Sequence, residues 1–594
     1  MSSGAPRDTL RHLSDSSSEE TLMEARLAFR HSVASWCLRQ AKRHMERGKN
    51  EAALEWNHIG AGVLRYGCAP LVSETLEQNL LEIASRLPRF EWRSAHDKDA
   101  SRRWLHVIDY ARPYGGHTAM VRRWIARDQG NRVHSVALPN QEHPVPEALA
   151  DAIRDSGGEI FLPAPNASLL SRAIWLRELA YTKADCVVLH IYNEDVVAPT
   201  AFGVEGGPPV LLVNNAAHLF WTGAAVADVV INVRGSQLER FWTQHYRGIS
   251  STATLPIPIP LPQNADSAEV FSAECRAQAR RRLNLPADAV VLLNVGRDEK
   301  YQSVSGLNFF EVARSLLASC PKAWMLVVGP SNSDYRKKLN QELNGRLAVL
   351  GVQLDLQPYY AAADVYVEGF PFGSTTALLE AGVHGLPCVL APGDCPPPFG
   401  TDGVALDHEL RRPANMEEYV MRVKELIAHP EERIRCGRSL ARSICEHHCG
   451  TGWARYLADL IKQVPEVHTL HPVVQPPSPP KEFDHYWTRC FSHRLGDPFV
   501  YAFVSGISSG STPRLDLSMY RARRAARRAR LHGRGLQATV LELLSVLLPL
   551  FPAAVRRPLY RGITYPWRLR QWLRLYLSRN VISNPASIEA VVAQ

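Results

Sequence analysis

Hydrophobic and polar positions follow three successive patterns along the chain. From Leu22 to about Leu87 apolar residues recur at helical spacing, with breaks at Gly48-Lys49-Asn50 and Gly67-Cys68-Ala69-Pro70; this predicts a set of short packed helices. From Trp104 the pattern becomes a series of runs apolar throughout, WLHVIDYA, RVHSVAL, EIFLP, DCVVLHIY, PVLLVNN and DVVINVR, separated by helical stretches. Runs that do not alternate belong to parallel strands covered on both faces. Strand and helix in turn predict βαβ units wound into a doubly covered sheet. A second series, VVLLNVG, AWMLVVGP, LAVLG, DVYVEGF and PCVLAPG, repeats the plan and ends in helices from about Met416 to Lys462.

Between the two series lies LPIPIPLPQ (Leu255–Gln263). Proline cannot donate to a strand ladder, so this segment reads as an extended linker. After Pro465 the stretch LHPVVQPPSPPKEF reads as a semi-rigid spacer. The expected organisation is a Ser-rich leader (1–20), a helical extension (21–100), a first α/β domain (101–262), a second (263–464), a Pro-rich linker (465–483) and a basic C-terminal region (484–594). Within the extension, RGKNEAALEW resembles the turn and second helix of a tetratricopeptide hairpin. A single copy does not make an array, and a helical extension packed on the main body is the expected arrangement.

Composition adds three constraints. With 594 residues, 45% hydrophobic and 21% charged, the chain has the make-up of ordinary globular cores. The net charge of +9 is concentrated: Arg514 to Arg579 holds fifteen Arg, no Lys and two acids, a local +13 that leaves the remainder at −4. Nucleic acid is therefore not an expected partner of the body. Eleven Cys with no CxxC predict reduced thiols, and the polar N-terminus lacks an apolar signal core, so a cytoplasmic location is expected. Leu536–Val555 is apolar but contains Glu542, Pro549 and Pro552, so no transmembrane helix is predicted.

Two joined parallel sheets place ligands at the loops after the strands. In the second series, Ser374-Thr375-Thr376 opens a helix beginning near Thr375, and a helix start offers free amides and partial positive charge for a phosphate or diphosphate. Glu380 lies one turn on, on the face of Thr376; its carboxylate suits a pair of sugar hydroxyls such as a ribose. Arg297 and Lys300 follow VVLLNVG and supply cations where a charged leaving group would develop, without metal. The plain alternatives are a capped helix start and solvated surface charge.

The segment EGFPFGSTTALLEAGVHGLPCVLAP resembles the donor-binding region of GT-B-fold glycosyltransferases, and VGRDEK resembles their Arg/Lys element. The resemblance covers about residues 104–462. It implies two Rossmann-like doubly wound sheets, a nucleoside-diphosphate sugar as donor and no cofactor. It assigns ribose contact to Glu380 and diphosphate contact to Ser374, Thr375, Thr376, Arg297 and Lys300. Glu368 and Glu380 are twelve apart, where the common retaining families have a spacing of seven between two Glu. That resembles instead the O-GlcNAc-transferase-like and bacterial protein N-glucosyltransferase-like branches.

The first domain is then expected to present the acceptor, a glycan, a lipid-linked glycan or a protein, together with any base. Gly115 and Gly116 lie at a strand-to-helix turn and permit close approach of backbone to ligand. His117, His190 and His218 lie near strand ends, and a near-neutral imidazole can take a proton from an acceptor hydroxyl. NNAAHLFWTG makes His218 the first choice, His117 the second, and the carboxylates Glu194 and Asp195 follow. Asp97-Lys98-Asp99 is formally DxD but precedes the first strand. Cys445-Glu446-His447-His448-Cys449 crowds metal-ligand types into one helical stretch, poor geometry for zinc. The Arg-rich tail, interleaved with Trp and Leu, fits an anionic membrane surface, with RNA or packing on the enzyme itself as competing readings. Two other functions remain open on the same fold, a nucleotide-sugar epimerase and a non-catalytic scaffold.

Overall fold

The computed structural model describes residues 34–485 apart from 68–69, 93–101, 114, 129, 131, 166, 262–271, 302–306 and 394–399, with a few residues before 34. The leader, Asp97-Lys98-Asp99 and the Arg-rich tail lie outside the described residues.

Two sheets carry the architecture, every described strand pair being parallel. The first contains β1 (Arg102–Ile108), β2 (Arg132–Ala137), β3 (Ile160–Phe161), β4 (Cys186–His190), β5 (Val210–Asn214), β6 (Val229–Asn232) and β7 (Thr252–Thr254), in the order β3-β2-β1-β4-β5-β6-β7. The second contains β8 (Val290–Val295), β9 (Ala323–Val328), β10 (Leu347–Val349), β11 (Val365–Val367) and β12 (Cys388–Val389), in the order β10-β9-β8-β11-β12. Eleven of these strands fall on the apolar runs read from the sequence. β7 does not: it is three residues long, TAT, and its middle residue alone is buried, so it carries no hydrophobic signature.

The central strands are buried on both faces, as their unbroken apolar character requires: all five residues of β4 and β5 are buried. Helices between strands start where a Ser or Asn hydroxyl or amide oxygen accepts a first-turn N–H, at Ser168, Ser236, Ser272, Asn308 and Ser333. Strand order reverses between β1 and β4 in the first sheet, and between β8 and β11 in the second. These two switch points are where a crevice opens in a doubly wound sheet.

Helices cover residues 34–46, Asn50–Gly67 and Glu74–Ser85, and they are docked on the first sheet. Glu77, buried, accepts the N–H groups of Gly223 and Ala225 (2.8 and 3.0 Å). The long helices Met416–Ala428 and Pro430–His448 pack with the second sheet, but Gly450–Ile461 returns to the first. There Trp453, Leu457 and Leu460 join Trp104, Trp124 and Val188 in one core. The Pro-rich stretch after it is docked rather than a free spacer. His468 bonds Asp228 and the Phe202 carbonyl (both 2.8 Å), and Gln475 bonds the Val72 carbonyl. Its few polar side chains find buried acceptors, a contact that a proline count does not reveal. Among the described residues no helix is long and apolar enough to cross a membrane.

Candidate functional site

The second-sheet switch point gathers two loops. β8 is followed by Gly296 and leads through Arg297 into the short 3-10 turn Asp298–Tyr301. β11 leads through Glu368 to the loop that opens helix Thr375–Val383. Lys300 Nζ donates to the Gly373 carbonyl, so the cation is fixed on the loop itself. A side chain at Gly296 would stand 3.2 Å from Ser374 Oγ and 2.8 Å from Tyr301 Oη. Arg297, Lys300, Ser374, Thr375 and Thr376 therefore converge.

The helix start is not closed by its own side chain. Ser374 is the N-cap residue and makes no capping bond, so the first-turn amides remain for a ligand. Arg297 is exposed and makes no hydrogen bond or ion pair among the described residues. Its neighbour Asp298 serves the frame, accepting from Ser331 and Arg336 (both 2.7 Å) and tying the loop after β8 to the loop after β9.

The two acids separate into different roles. Glu368 is fully buried. It accepts the Ala391 N–H (2.8 Å) and the Thr401 hydroxyl, and it braces the loop from beneath. Burial raises its pKa, against the lowering by those donors, Arg412 and Lys300. Glu380 is largely buried between the sheets, where both of its oxygens are engaged. Arg123 of helix Gly116–Arg127, from the first sheet, pairs with Oε1, and the Tyr360 hydroxyl donates to Oε2 (2.9 Å).

On the first sheet, β1 is followed by Asp109, and β4, ending at His190, by Ile191 and Tyr192. Gly115 has φ +112° and, with Gly116, no atom within 4 Å of where a side chain would stand. The turn into helix Gly116–Arg127 is therefore open to a ligand. His117, in the first helical turn, lies against Tyr192 (ring centroids 5.2 Å), which stacks on Tyr110 (4.7 Å). Burial, with Arg65 and Arg297 nearby, lowers the His117 pKa to about 4. His218 stands further along, after β5. Burial, then Arg234, Lys300 and Arg247, lower its pKa to about 3. Each of these two histidines thus feels a cation of the second sheet, His117 that of Arg297 and His218 that of Lys300.

The lower-ranked carboxylates are committed elsewhere. Asp195 accepts the N–H groups of Val197 and Ala198 (2.9 and 3.0 Å) and starts the helix there. Glu194 pairs with Arg65 from the helical extension. In the Cys445–Cys449 stretch, His447 bonds the Tyr456 hydroxyl (2.7 Å) and His448 donates to the Ile257 carbonyl (2.8 Å). Among the described residues no three His, Cys, Asp or Glu side chains are grouped to hold a metal ion.

Four residues at this site carry no motif. Arg234, just past β6, reaches Asp402 of the second half (2.7 Å), while its carbonyl accepts the Val404 N–H (3.0 Å). Burial opposes its charge, but Asp402 and Glu239 outweigh burial and raise its pKa. Its position after a strand is the one signal that could have found it. Arg65, Arg123 and Thr401 sit on helices or loops far from the motifs, and only the fold brings them in.

Residues 289–429 match the family model for glycosyl transferases group 1. The chain carries a glycosyltransferase domain. This glycosyltransferase domain contains β8 to β12 and every second-sheet residue named above. The solved structures similar to the chain include the following three. HepE of Anabaena, in complex with UDP and glucose, is 15% identical over 61% of this chain and 100% of its own, with TM-score 0.44. A glycosyltransferase of Rickettsia africae is 11% identical over 61% and 98%, with TM-score 0.46. The Thermobaculum terrenum O-GlcNAc transferase is 16% identical over 75% and 86%, with TM-score 0.44. No curated sequence matches the chain.

Proposed function

We propose that the protein transfers a sugar from a nucleoside-diphosphate donor to an acceptor held by the first sheet, without a metal. One observation carries this reading: two cations and an uncapped helix start converge at the switch point of the glycosyltransferase domain, opposite a first-sheet wall with two neutral imidazoles. Arg297, Lys300 and the amides and hydroxyls of Ser374, Thr375 and Thr376 receive the diphosphate, and Glu380 receives the ribose by exchanging its bond to Arg123. Charge that grows on the leaving diphosphate meets fixed dipoles and cations, which is the role a metal would otherwise fill.

The acceptor, a glycan, a lipid-linked glycan or a protein, lies against Gly115 and Gly116. His117 is favoured over His218 as its base. It stands at the β1/β4 switch point beside the open glycine turn, whereas His218 has Arg234 and Lys300 as neighbours and is better matched to the diphosphate. Binding in the Arg-rich region to an anionic membrane surface would suit a lipid-linked acceptor, with the enzyme peripheral at the inner face of a membrane.

Calorimetry with UDP, GDP and ADP tests the donor site. One of them should bind the wild type, and Glu380→Ala and Lys300→Ala should each weaken that binding by at least tenfold. Wild-type affinity in both variants rejects the assignment. Product analysis with a nucleotide sugar and no acceptor separates transfer from epimerisation.

A further inference from the structure

The first sheet contains a line of three buried histidines that the donor site does not use. His134 on β2, His106 on β1 and His190 at the end of β4 are each fully buried. His134 Nδ1 lies 3.0 Å from His106 Nε2, and His106 Nδ1 lies 3.1 Å from His190 Nε2. At the far end His134 Nε2 is 3.1 Å from Asp128 Oδ2. At the near end His190 Nδ1 is buried with no hydrogen-bond partner among the described residues. The rings do not converge on a point, as a metal cage would require; they run in single file under Trp124, whose ring meets both His106 and His190 edge-on (5.2 and 5.8 Å).

The order of protons in such a file is fixed from one end. A neutral imidazole has one N–H and one bare nitrogen. Asp128 is an acceptor: burial would raise its pKa, but His134, Arg132 and the Gly130 N–H outweigh burial and hold it below the usual carboxylate range. His134 must then carry its proton on Nε2, which leaves Nδ1 bare for the Nε2–H of His106. That leaves His106 Nδ1 bare for the Nε2–H of His190. His190 therefore ends the file with a bare, buried nitrogen at the end where His117 lies. An unpartnered buried acceptor of this kind calls for an explanation.

We propose that His190, His106 and His134, closed by Asp128, form a proton relay that takes up the proton released at the acceptor end of the cleft. The donor to the relay is His117, so the proposal rests on the reading of His117 as base. His117 Nδ1 is itself buried without a partner among the described residues, and the ring is close enough to His190 to weaken its hold on a proton. The steps balance. A proton arrives at His190 Nδ1, and His190 passes its Nε2 proton to His106 Nδ1. His106 passes its Nε2 proton to His134 Nδ1. The charge comes to rest as a His134 imidazolium paired with the Asp128 carboxylate, and the tautomers of His190 and His106 are left reversed. Burial, then the neighbouring imidazoles, lower the proton affinity of His106, and burial and His117 lower that of His190 to about 3, so neither is a resting place for charge. Among the described residues, other titratable groups around the file include Arg132 on Asp128, the buried Cys186 thiol held protonated by burial, the Tyr192 phenol against His117, also held protonated by burial, and Arg65 and Arg297 near His117.

The test is proton location by NMR on the full chain labelled with 15N-histidine, His190 being assigned by the loss of its signals in His190→Phe. At pH 8 His190 should carry its proton on Nε2. On acidification it should switch to Nδ1–H and remain neutral while His134 becomes doubly protonated. Asp128→Asn removes the counter-ion, so the switch should move to lower pH by about 1 unit or more. It is also the variant to rely on should His106→Phe fail to fold. In His106→Phe the His190 tautomer should no longer follow pH, and turnover of the nucleotide sugar should fall at least tenfold with KM for the donor unchanged. A proton on His190 Nδ1 at pH 8, a doubly protonated His190, or an unmoved switch in Asp128→Asn overturns the relay. So does full turnover in His106→Phe. If the wild type turns over no nucleotide sugar, the transfer reading fails while the tautomer switch still decides the relay.

Discussion

Arg123 Nη2 holds the Glu380 carboxylate across the two halves of the molecule. Only 11% and 17% of the two side chains is exposed, so the pair is shielded from salt more than a surface pair would be. A donor ribose at Glu380 must displace the guanidinium. Arg123→Met should therefore tighten nucleoside-diphosphate binding by about tenfold, in line with ~1.5–3 kcal/mol for a hydrogen bond to a charged group. Calorimetry comparing this variant with Glu380→Ala decides the matter. Equal weakening in both would mean that the pair only supports the fold.

Gly373 is the tightest point of the donor loop. A methyl group there would lie 2.1 Å from Glu368 Oε1 and 2.5 Å from Thr401 Oγ1. Glu368 cannot yield easily, because its other oxygen holds the Ala391 N–H. Gly373→Ala should destabilise the protein by about 1–3 kcal/mol, the usual cost of overpacking. It should also displace the Lys300 acceptor and reduce nucleotide affinity at least tenfold. Denaturant melts and calorimetry on the same preparation measure both.

Arg297 and Lys300 should behave differently when truncated. Arg297→Ala removes an exposed side chain that bonds no described residue, so stability should change by less than about 0.5 kcal/mol. Nucleotide binding should weaken and lose part of its salt dependence. Lys300→Ala also frees the Gly373 carbonyl, so it should combine the binding loss with a loosened loop. Titrations at two ionic strengths, with a thermal melt of each variant, distinguish the two cases.

The buried histidines make acid stability a further measurable. Burial lowers the His448 pKa to about 4, with the Ile257 carbonyl opposing the shift. In the unfolded chain the group takes a proton near pH 6.5, while in the folded chain it does not until about pH 4. The unfolded state therefore binds more protons inside that window, and stability falls as the pH is lowered through it, by up to about 1.4 kcal/mol per pH unit for this one group. His117 and His218 shift in the same direction. Melting temperatures should drop steeply from pH 6.5 to pH 4, and His448→Gln should flatten the slope. An unchanged slope in that variant would remove His448 from the account.

Much of the fold is legible in the sequence because a buried parallel strand must be apolar on both faces, and few other structures demand that. The strand ends then point to Arg297, Lys300 and Thr376 by position alone. What the pattern does not contain is any term for distance in space. Glu380 reads as an open carboxylate until Arg123, 257 positions away, is folded against it. His134, His106 and His190 each read as one polar residue interrupting an apolar run, and only the parallel register of β2, β1 and β4 turns the three interruptions into a file. Glu368 and Glu380 look like a pair in the sequence, yet one is a brace beneath the loop and the other faces the opposite half.

The return of helix Gly450–Ile461 to the first sheet has a mechanical consequence. Among the described residues the backbone crosses between the halves twice, at 255–261 and at 448–450. The crossings run side by side, with the Ile259 N–H on the His448 carbonyl (2.9 Å) and the Trp453 indole on the Pro256 carbonyl (2.7 Å). Two adjacent pivots define a line, as two pins define the swing of a door. Paired crossings of this kind oppose sliding of one half along the other more than a single tether would.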